Sequence, residues 1–327
     1  MRKIGIISNP GSHHNLRHMV GFREMITSEP DLLYVETDDM VALPEIFADF
    51  ARRDVGLILI NGGDGTAQAA MTAVLNHGDA SEKPPSLAVL PAGRTNLIAH
   101  NIGLAGSPEV GLARLLDRRR AGLPLEEISH PVLSLDLGDG SPITHGMFMG
   151  SAAFYRGTMM GRDSFYPVGA AGSVVVGLSL GLAVLRALVG RPGGILQGHP
   201  MTLTPGTLTP GGDSEAAREQ DYFLILATTL DRLIMGLSPF WNDGDGDGPL
   251  RLTTVRYPPP RLASALLPLA RGRPRPWMAA SGYASRRLGE FTLLSACPIV
   301  FDGQIFTPDP AVPVTISGDR RLSFLRC

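Results

Sequence analysis

The chain has 327 residues, 44% apolar and 18% charged, with a formal net charge of -2. This excludes a disordered chain and leaves room for two domains, and it carries no broad basic field that would point to a nucleic-acid polymer as partner. Lysine occurs only at Lys3 and Lys83, so any phosphate clamp falls to arginine forks or backbone N–H groups.

The opening "MRKIGIISNPGS" has no apolar run of signal-peptide length and reads as a strand, Ile4–Ser8, entering a glycine turn. Helix patterns at Asn15–Ser28, Leu43–Arg53, Thr66–Asn76, Asn96–Ile102 and Val110–Arg120 alternate with strand candidates at Asp31–Glu36, Leu57–Asn61 and Leu87–Leu90. Strands separated by helices of this size predict an α/β domain with a parallel sheet, placed at residues 1–124. The pattern then changes. "PVLSLDLG", "YFLILATTL", "LRLTTVRY", "GEFTLLS", "CPIVFDGQIF" and "PVTISG" are short apolar or alternating pieces with Gly, Pro and Asp between them. They predict a second, mainly β-sandwich domain over residues 125–327, whose final strand or tail is free to pack back on the first. "VGAAGSVVVGLSLGLAVL", Val168–Leu185, is uncharged and at the ~18-residue length at which a membrane span is considered; a buried helix or the wall of an apolar pocket fits its small residues better. Residues 205–220 and the basic "ARGRPRPW" read as loops. Cys297 and Cys327 form neither a CxxC pair nor a disulfide framework, which fits a reducing compartment.

Three strand-to-helix loops of the first domain should face one crevice beyond the carboxyl ends of the strands. Asn9-Pro10-Gly11-Ser12 can present backbone N–H groups to a phosphate, although a tight turn needs the same residues. In Gly62-Gly63-Asp64-Gly65-Thr66 the glycines let a ligand touch the main chain, and Thr66 can cap the next helix. Asp64 would repel a phosphate unless Mg²⁺ lay between them; the alternative is a capped turn with Asp64 bonding backbone. In Pro91-Ala92-Gly93-Arg94-Thr95-Asn96, Arg94 could neutralise phosphate charge, Gly93 allows close approach, and Thr95 or Asn96 could cap the helix or order the crevice. The pattern is neither GxGxxG nor the P-loop GxxxxGK[ST]. His13, His14 and His18 lack both the HExxH spacing and a cysteine, so no zinc site is expected there. "WNDGDGDGPL" has the composition of a calcium loop without the twelfth-position glutamate of an EF-hand.

These residues resemble the diacylglycerol kinase catalytic-domain superfamily, which includes bacterial diacylglycerol kinases, sphingosine kinases and ceramide kinases. Gly62–Thr66 is its GGDGT signature, Asn9–Ser12 the start of N-P-x-S-G, and Pro91–Asn96 its P-x-G-T-x-N element. Asp302-Gly303 matches D-G-E, and Asp247-Gly248-Pro249-Leu250 matches D-G-x-L more loosely. GGDGT is shared with NAD kinases; the late D-G elements favour the lipid branch. The resemblance implies ATP with Mg²⁺ in a nucleotide cleft between the domains, Asp64 beside phosphates and metal, and Asp302 as general base facing the lipid hydroxyl. Asp243, Asp245 and Asp247 would overlap a second Mg²⁺ region. Four positions depart from the pattern: His13 for a glycine, Arg94 for a threonine, Gln304 for the glutamate of D-G-E, and Arg251 where an aspartate often follows D-G-x-L. Gln304 removes a charge beside the expected base. Asp302, at an apparent strand-to-turn junction in "CPIVFDGQIF", has as its alternative an ordinary β-turn aspartate before glycine.

The expected activity is ATP-dependent phosphorylation of a lipid hydroxyl, diacylglycerol or ceramide first, at a membrane surface. The setting is cytoplasmic with peripheral membrane association, and a homodimer is left open. Met147, Phe148, Met149, Met159 and Met160 could line an adaptable acyl wall or simply be core. Arg271, Arg273, Arg275 and Trp277 suit an anionic membrane or a solvated loop. An NAD kinase-like enzyme and a non-catalytic lipid-binding protein that kept the fold are the alternatives.

Overall fold

The computed structural model describes residues 3–77, 84–165, 198–206, 218–233, 236–241 and 248–326. Contacts divide the chain into two compact units: Met1–His130, Thr144–Gly146 and Arg321–Cys327 form the first, and Pro131–Ile143 with Met147–Arg320 the second. The N-terminal unit is α/β with parallel strands and the C-terminal unit is mainly β.

In the first unit, β1 (Lys3–Ser8) lies between β2 (Leu32–Glu36) and β3 (Val55–Gly62), and β3 pairs with β4 (Ser86–Pro91), all parallel. The end of β15 (Val314–Arg326) adds a further parallel neighbour through Phe324 against Leu87. Helices α1 (Asn15–Thr27), α2 (Leu43–Arg52), α3 (Asp64–His77), α4 (Leu97–Ile102) and α5 (Pro108–Arg120) cover the sheet. Strands covered on both faces lose the alternation of a half-exposed sheet and become continuous apolar runs. The "LILI" of β3 is such a run, and Leu57–Ile60 is almost wholly inaccessible. One core layer joins Ile4, Ile6, Leu59 and Leu90 to Phe22 of α1 and Leu112 and Leu115 of α5.

The spatial order β2-β1-β3-β4 places the reversal of winding between β1 and β3. In an open α/β sheet that reversal opens a crevice at the carboxyl ends of the strands. The register aligns Ser8 with Asn61 and Gly62 with Pro91, so the three candidate loops leave one edge of the sheet at the same level.

In the second unit, β9 (Arg218–Thr228) is the branch point. One edge pairs with β10 (Leu250–Arg256). The other pairs with β8 (His199–Gly206) over its first half and β7 (Phe148–Ala152) over its second. β8 continues to β12 (Glu290–Leu294) and β15, and β7 to β13 (Ile299–Phe301) and β14 (Gln304–Phe306). Both arms, together with Leu133 and Leu135 of β5 (Glu126–Asp136), feed one core containing Met149, Ile225, Phe291 and Phe301. On another face, α7 (Leu262–Ala270) and α8 (Pro276–Ala280) bury Ala265, Leu269 and Met278 against Phe223, Val255 and Tyr283, the last on β11 (Tyr283–Leu288).

Several expectations change here. Met147 and Met149 are fully buried, Met149 within that core, so they are packing residues rather than an adaptable wall. Phe148 stacks edge-on against Phe154 of α6 (Ala153–Phe165). The α7 helix falls between the strand piece "LRLTTVRY" and the loop "ARGRPRPW", in a stretch with no sequence expectation, because Pro268 and the small residues of "LASALLPLA" hide the helical period. The predicted loop at 205–220 is strand at both its ends, and its middle lies outside the described residues, as does the uncharged stretch 168–185. Among the described residues no helix is long and apolar enough to cross a membrane.

Candidate functional site

The first and second loops are tied together at the winding reversal. Asn9 N–H donates to the Asn61 carbonyl at 2.9 Å, and Asn9 Nδ2 donates to Thr66 Oγ1 at 3.0 Å. The other end of the Asn9 amide, Oδ1, accepts from Gly11 N–H at 2.9 Å and closes the Pro10-Gly11 turn. Beneath them, buried Asn15 donates to the carbonyls of Asn9 and Asn61 at 2.8 and 3.1 Å. Asn61 is itself inaccessible, donates to Ser8 Oγ at 3.2 Å, and keeps an Oδ1 with no partner. Asn15 and Asn61 were not singled out from sequence. The legible signal was an amide at the end of a wholly apolar strand, where a polar group must be satisfied or used.

The second and third loops meet backbone to backbone. A Cβ on Gly93 would stand 2.6 Å from Gly63 Cα and 3.0 Å from Asn96 Oδ1. Only two glycines permit that approach. Asn96, in a left-handed conformation at φ 52°, accepts from Gly93 N–H at 2.7 Å and returns a bond to the Gly93 carbonyl at 3.0 Å. Its side chain therefore orders the loop and does not cap α4, the other role considered for it. Arg94 is exposed and Thr95 half-buried.

Helix α3 begins at Asp64, two residues before the expected start, so Thr66 is not its cap. Gly65 thus falls in the first helical turn, whose N–H groups have no intrahelical partner. A Cβ on Gly65 would meet nothing within 4 Å. Asp64 reaches across to α4, where Oδ1 accepts from Ile98 N–H at 2.9 Å. Burial pushes the Asp64 carboxyl up, opposed by the backbone N–H groups of Ile98, Leu97 and Asn96. The carboxylate is thus bonded to backbone, as one sequence reading allowed, and it locks the second loop to the third.

His14 binds Glu109 of α5 at 2.9 Å and stacks on His18 at 4.6 Å between ring centres. Burial raises the Glu109 carboxyl, but the Ser107 hydroxyl and His14 outweigh it and hold the group below its ordinary value. Among the described residues no three His, Cys, Asp or Glu side chains group as a metal site. Asp243, Asp245 and Asp247 lie outside the described residues. Arg251 donates to Asp231 Oδ1 at 3.0 Å and to two backbone carbonyls, so it anchors the strand after that loop.

In the second unit, Asp302-Gly303 forms the two-residue turn of the β13–β14 hairpin, with φ of 44° and 90°. Positive φ at both positions is what a twisted hairpin requires, and Asp-Gly suits it. The Asp302 carboxylate is buried and accepts from Met147 N–H at 2.7 Å and Phe148 N–H at 3.0 Å. Its own N–H returns a bond to the Phe148 carbonyl at 3.0 Å. The two donors fix the carboxylate plane. Gln304 is exposed.

Comparison with known proteins bears on the first unit most directly. Residues 3–125 match the diacylglycerol kinase catalytic domain family. That match covers all three loops and the residues of the core layer named above. The chain resembles a solved diacylglycerol kinase from Bacillus anthracis str. Sterne at 16% identity, with a TM-score of 0.60 over 99% of this chain and 96% of the other. Two further solved chains from that organism, each a candidate diacylglycerol kinase, align at TM-scores of 0.65 with 15% and 16% identity; they cover 99% and 100% of this chain and 96% and 97% of theirs. At such identities the likeness is one of fold, and it spans both units. No curated protein matches the chain.

Proposed function

We propose that this chain transfers the γ-phosphoryl group of ATP to the hydroxyl of a membrane lipid, diacylglycerol or ceramide. The single observation that carries the nucleotide part is Gly65. It occupies a helical position where an added Cβ would meet nothing within 4 Å, yet it carries none, at a helix terminus on the winding reversal of the sheet. Phosphates approach such places because exposed N–H groups and the helix dipole favour an anion. Asn9–Ser12, Gly62–Thr66 and Gly93–Asn96 would hold the nucleotide, with Arg94 available to its charge.

The donor set suits Mg²⁺ arriving with the nucleotide, because that ion takes one or two carboxylates and completes its octahedron with phosphate oxygens and water. Asp64, which already accepts from Ile98 N–H and lies beside the N–H groups of Leu97 and Asn96, would be the protein's contribution. Bound there, Mg²⁺ would neutralise charge on the transferring group. Asp302 would orient the acceptor hydroxyl and take its proton, since its rigid turn fixes where the carboxylate points.

One observation favours the non-catalytic alternative. The Asp302 geometry is already accounted for by a hairpin turn and two amides. Transfer of labelled γ-phosphate from ATP to a lipid panel in mixed micelles, with NAD in a separate reaction, decides among the readings. Label in a lipid supports the proposal, label in NAD overturns the acceptor, and label in neither leaves a binding protein.

A further inference from the structure

The structure assigns a second feature: a docking face for anionic phospholipid, built on α7 and the arginine turn that follows it. It deepens the lipid-kinase reading by supplying the means of reaching a membrane.

Residues 248–289 contain eight arginines, no lysine, and no aspartate or glutamate. In a chain of net charge -2 this is a strong local asymmetry. Arg261 precedes α7, and Arg271, Arg273 and Arg275 follow it; all four are exposed. The helix between them carries no charged residue. Its inner side is anchored by Ala265 and Leu269, while Leu267 on the outer side is 58% exposed. Tyr257, 39% exposed, and the exposed Pro258 and Pro260 lead into Arg261. Asp221 meets this region at Tyr257 through its backbone carbonyl.

The arginines stand on ordered backbone. Arg273 N–H donates to the Pro268 carbonyl at 2.9 Å and Gly272 N–H to the Leu269 carbonyl at 3.1 Å, with Gly272 at φ 57°. This pair of bonds is the Schellman termination of α7. At the front, the Arg261 guanidinium lies 5.5 Å from the Trp277 ring, which packs edge-on against Tyr283. A cation near a helix C-terminus complements the dipole, but one arginine would serve that purpose. Three exposed arginines in the turn after a helix with an exposed leucine, followed by a half-buried tryptophan, are the composition of a surface that meets lipid headgroups and the first methylenes beneath them.

Each cation near an anionic bilayer contributes about 1 kcal/mol, so removing three should weaken partitioning roughly 100-fold. The test is sedimentation of the full chain with vesicles of phosphatidylcholine alone or mixed with phosphatidylglycerol. The expected result is binding to the mixed vesicles only, lost in high salt. Arg271→Gln, Arg273→Gln and Arg275→Gln together should lower it by roughly two orders of magnitude. The matching triple lysine variant should restore it to within about threefold, which separates charge from folding. A control triple, Arg52→Gln, Arg53→Gln and Arg114→Gln, should leave it nearly unchanged. Wild-type affinity in the first triple variant, equal binding to both vesicle types, or a change in molar mass that marks the face as a self-contact would each overturn the proposal. Turnover is read separately on short-chain diacylglycerol. Vesicle binding through this face without turnover retires the kinase reading and keeps this one; turnover with vesicle binding unaffected by the first triple does the reverse.

Discussion

Replacing Gly65 by alanine separates a nucleotide cradle from an ordinary turn. The added methyl meets nothing within 4 Å, and the backbone there is helical rather than left-handed. Alanine in a helix is preferred over glycine by up to about 1 kcal/mol, less in the first turn, so the folded domain should gain roughly 0.3–1 kcal/mol. If a phosphate approaches this backbone, the same methyl stands in its way. Overpacking of one methyl costs about 1–3 kcal/mol, or roughly 5- to 150-fold in affinity. The companion variant is Gly93→Ala. Its Cβ at 2.6 Å from Gly63 Cα forces backbone apart, so it should lose about 1–3 kcal/mol of stability as well as affinity. Thermal unfolding and ATP titration calorimetry on both variants read the two effects. A Gly65→Ala protein that is more stable and binds ATP as well as wild type would refute the cradle. One that is less stable would refute the open space around Gly65.

Asp302→Asn should cost about 1–3 kcal/mol, because an amide cannot accept from both Met147 and Phe148, and one buried N–H is left unpaired. Asparagine tolerates the positive φ, so a drop in melting temperature reports the bonds rather than the turn. Lost transfer in this variant therefore counts for a general base only if measured well below its melting point. Thr66→Val removes the acceptor for Asn9 Nδ2 and should cost about 1 kcal/mol while weakening ATP binding; an unchanged ATP affinity would show that the lashing of the two loops is irrelevant to the ligand. Glu109 sits below its ordinary value, so its contribution with His14 is complete above the unfolded pKa of about 4.3 and fades as pH falls through the lower folded value. Part-exposed as the pair is, Glu109→Gln should cost under about 1 kcal/mol at pH 7 and shrink the stability lost between pH 5 and 3, measured by denaturant melts. A variant with the wild-type acid profile would place that loss elsewhere.

Much of the first unit was legible because its signals are local. The β3 run "LILI" could only be a strand covered on both faces, and Asn-Pro-Gly, Gly-Gly-Asp-Gly and Pro-Ala-Gly stop three strands in the same way. Helix α5 was read only from Val110, although its Ser107 cap and Pro108 start are signals the chain itself carries. The α7 helix was not legible, since Pro268 breaks its period and a tertiary contact with Phe223 and Tyr283 stabilises it instead. Asn15 and Asn61 were likewise invisible as a pair, being 46 positions apart and joined only under the loops they support.

What the amino-acid order determined alone is the backbone chemistry: where glycine permits contact, where an apolar run must be buried, and where Asp-Gly turns a hairpin. The tertiary structure decided what each polar group does. It bonded Asp64 to the amides of α4 and tied Asp302 to two amides 155 and 154 positions away. The reason is physical: local torsional preference is written in neighbouring residues, whereas a buried carboxylate takes its role from whichever donors the fold brings within 3 Å.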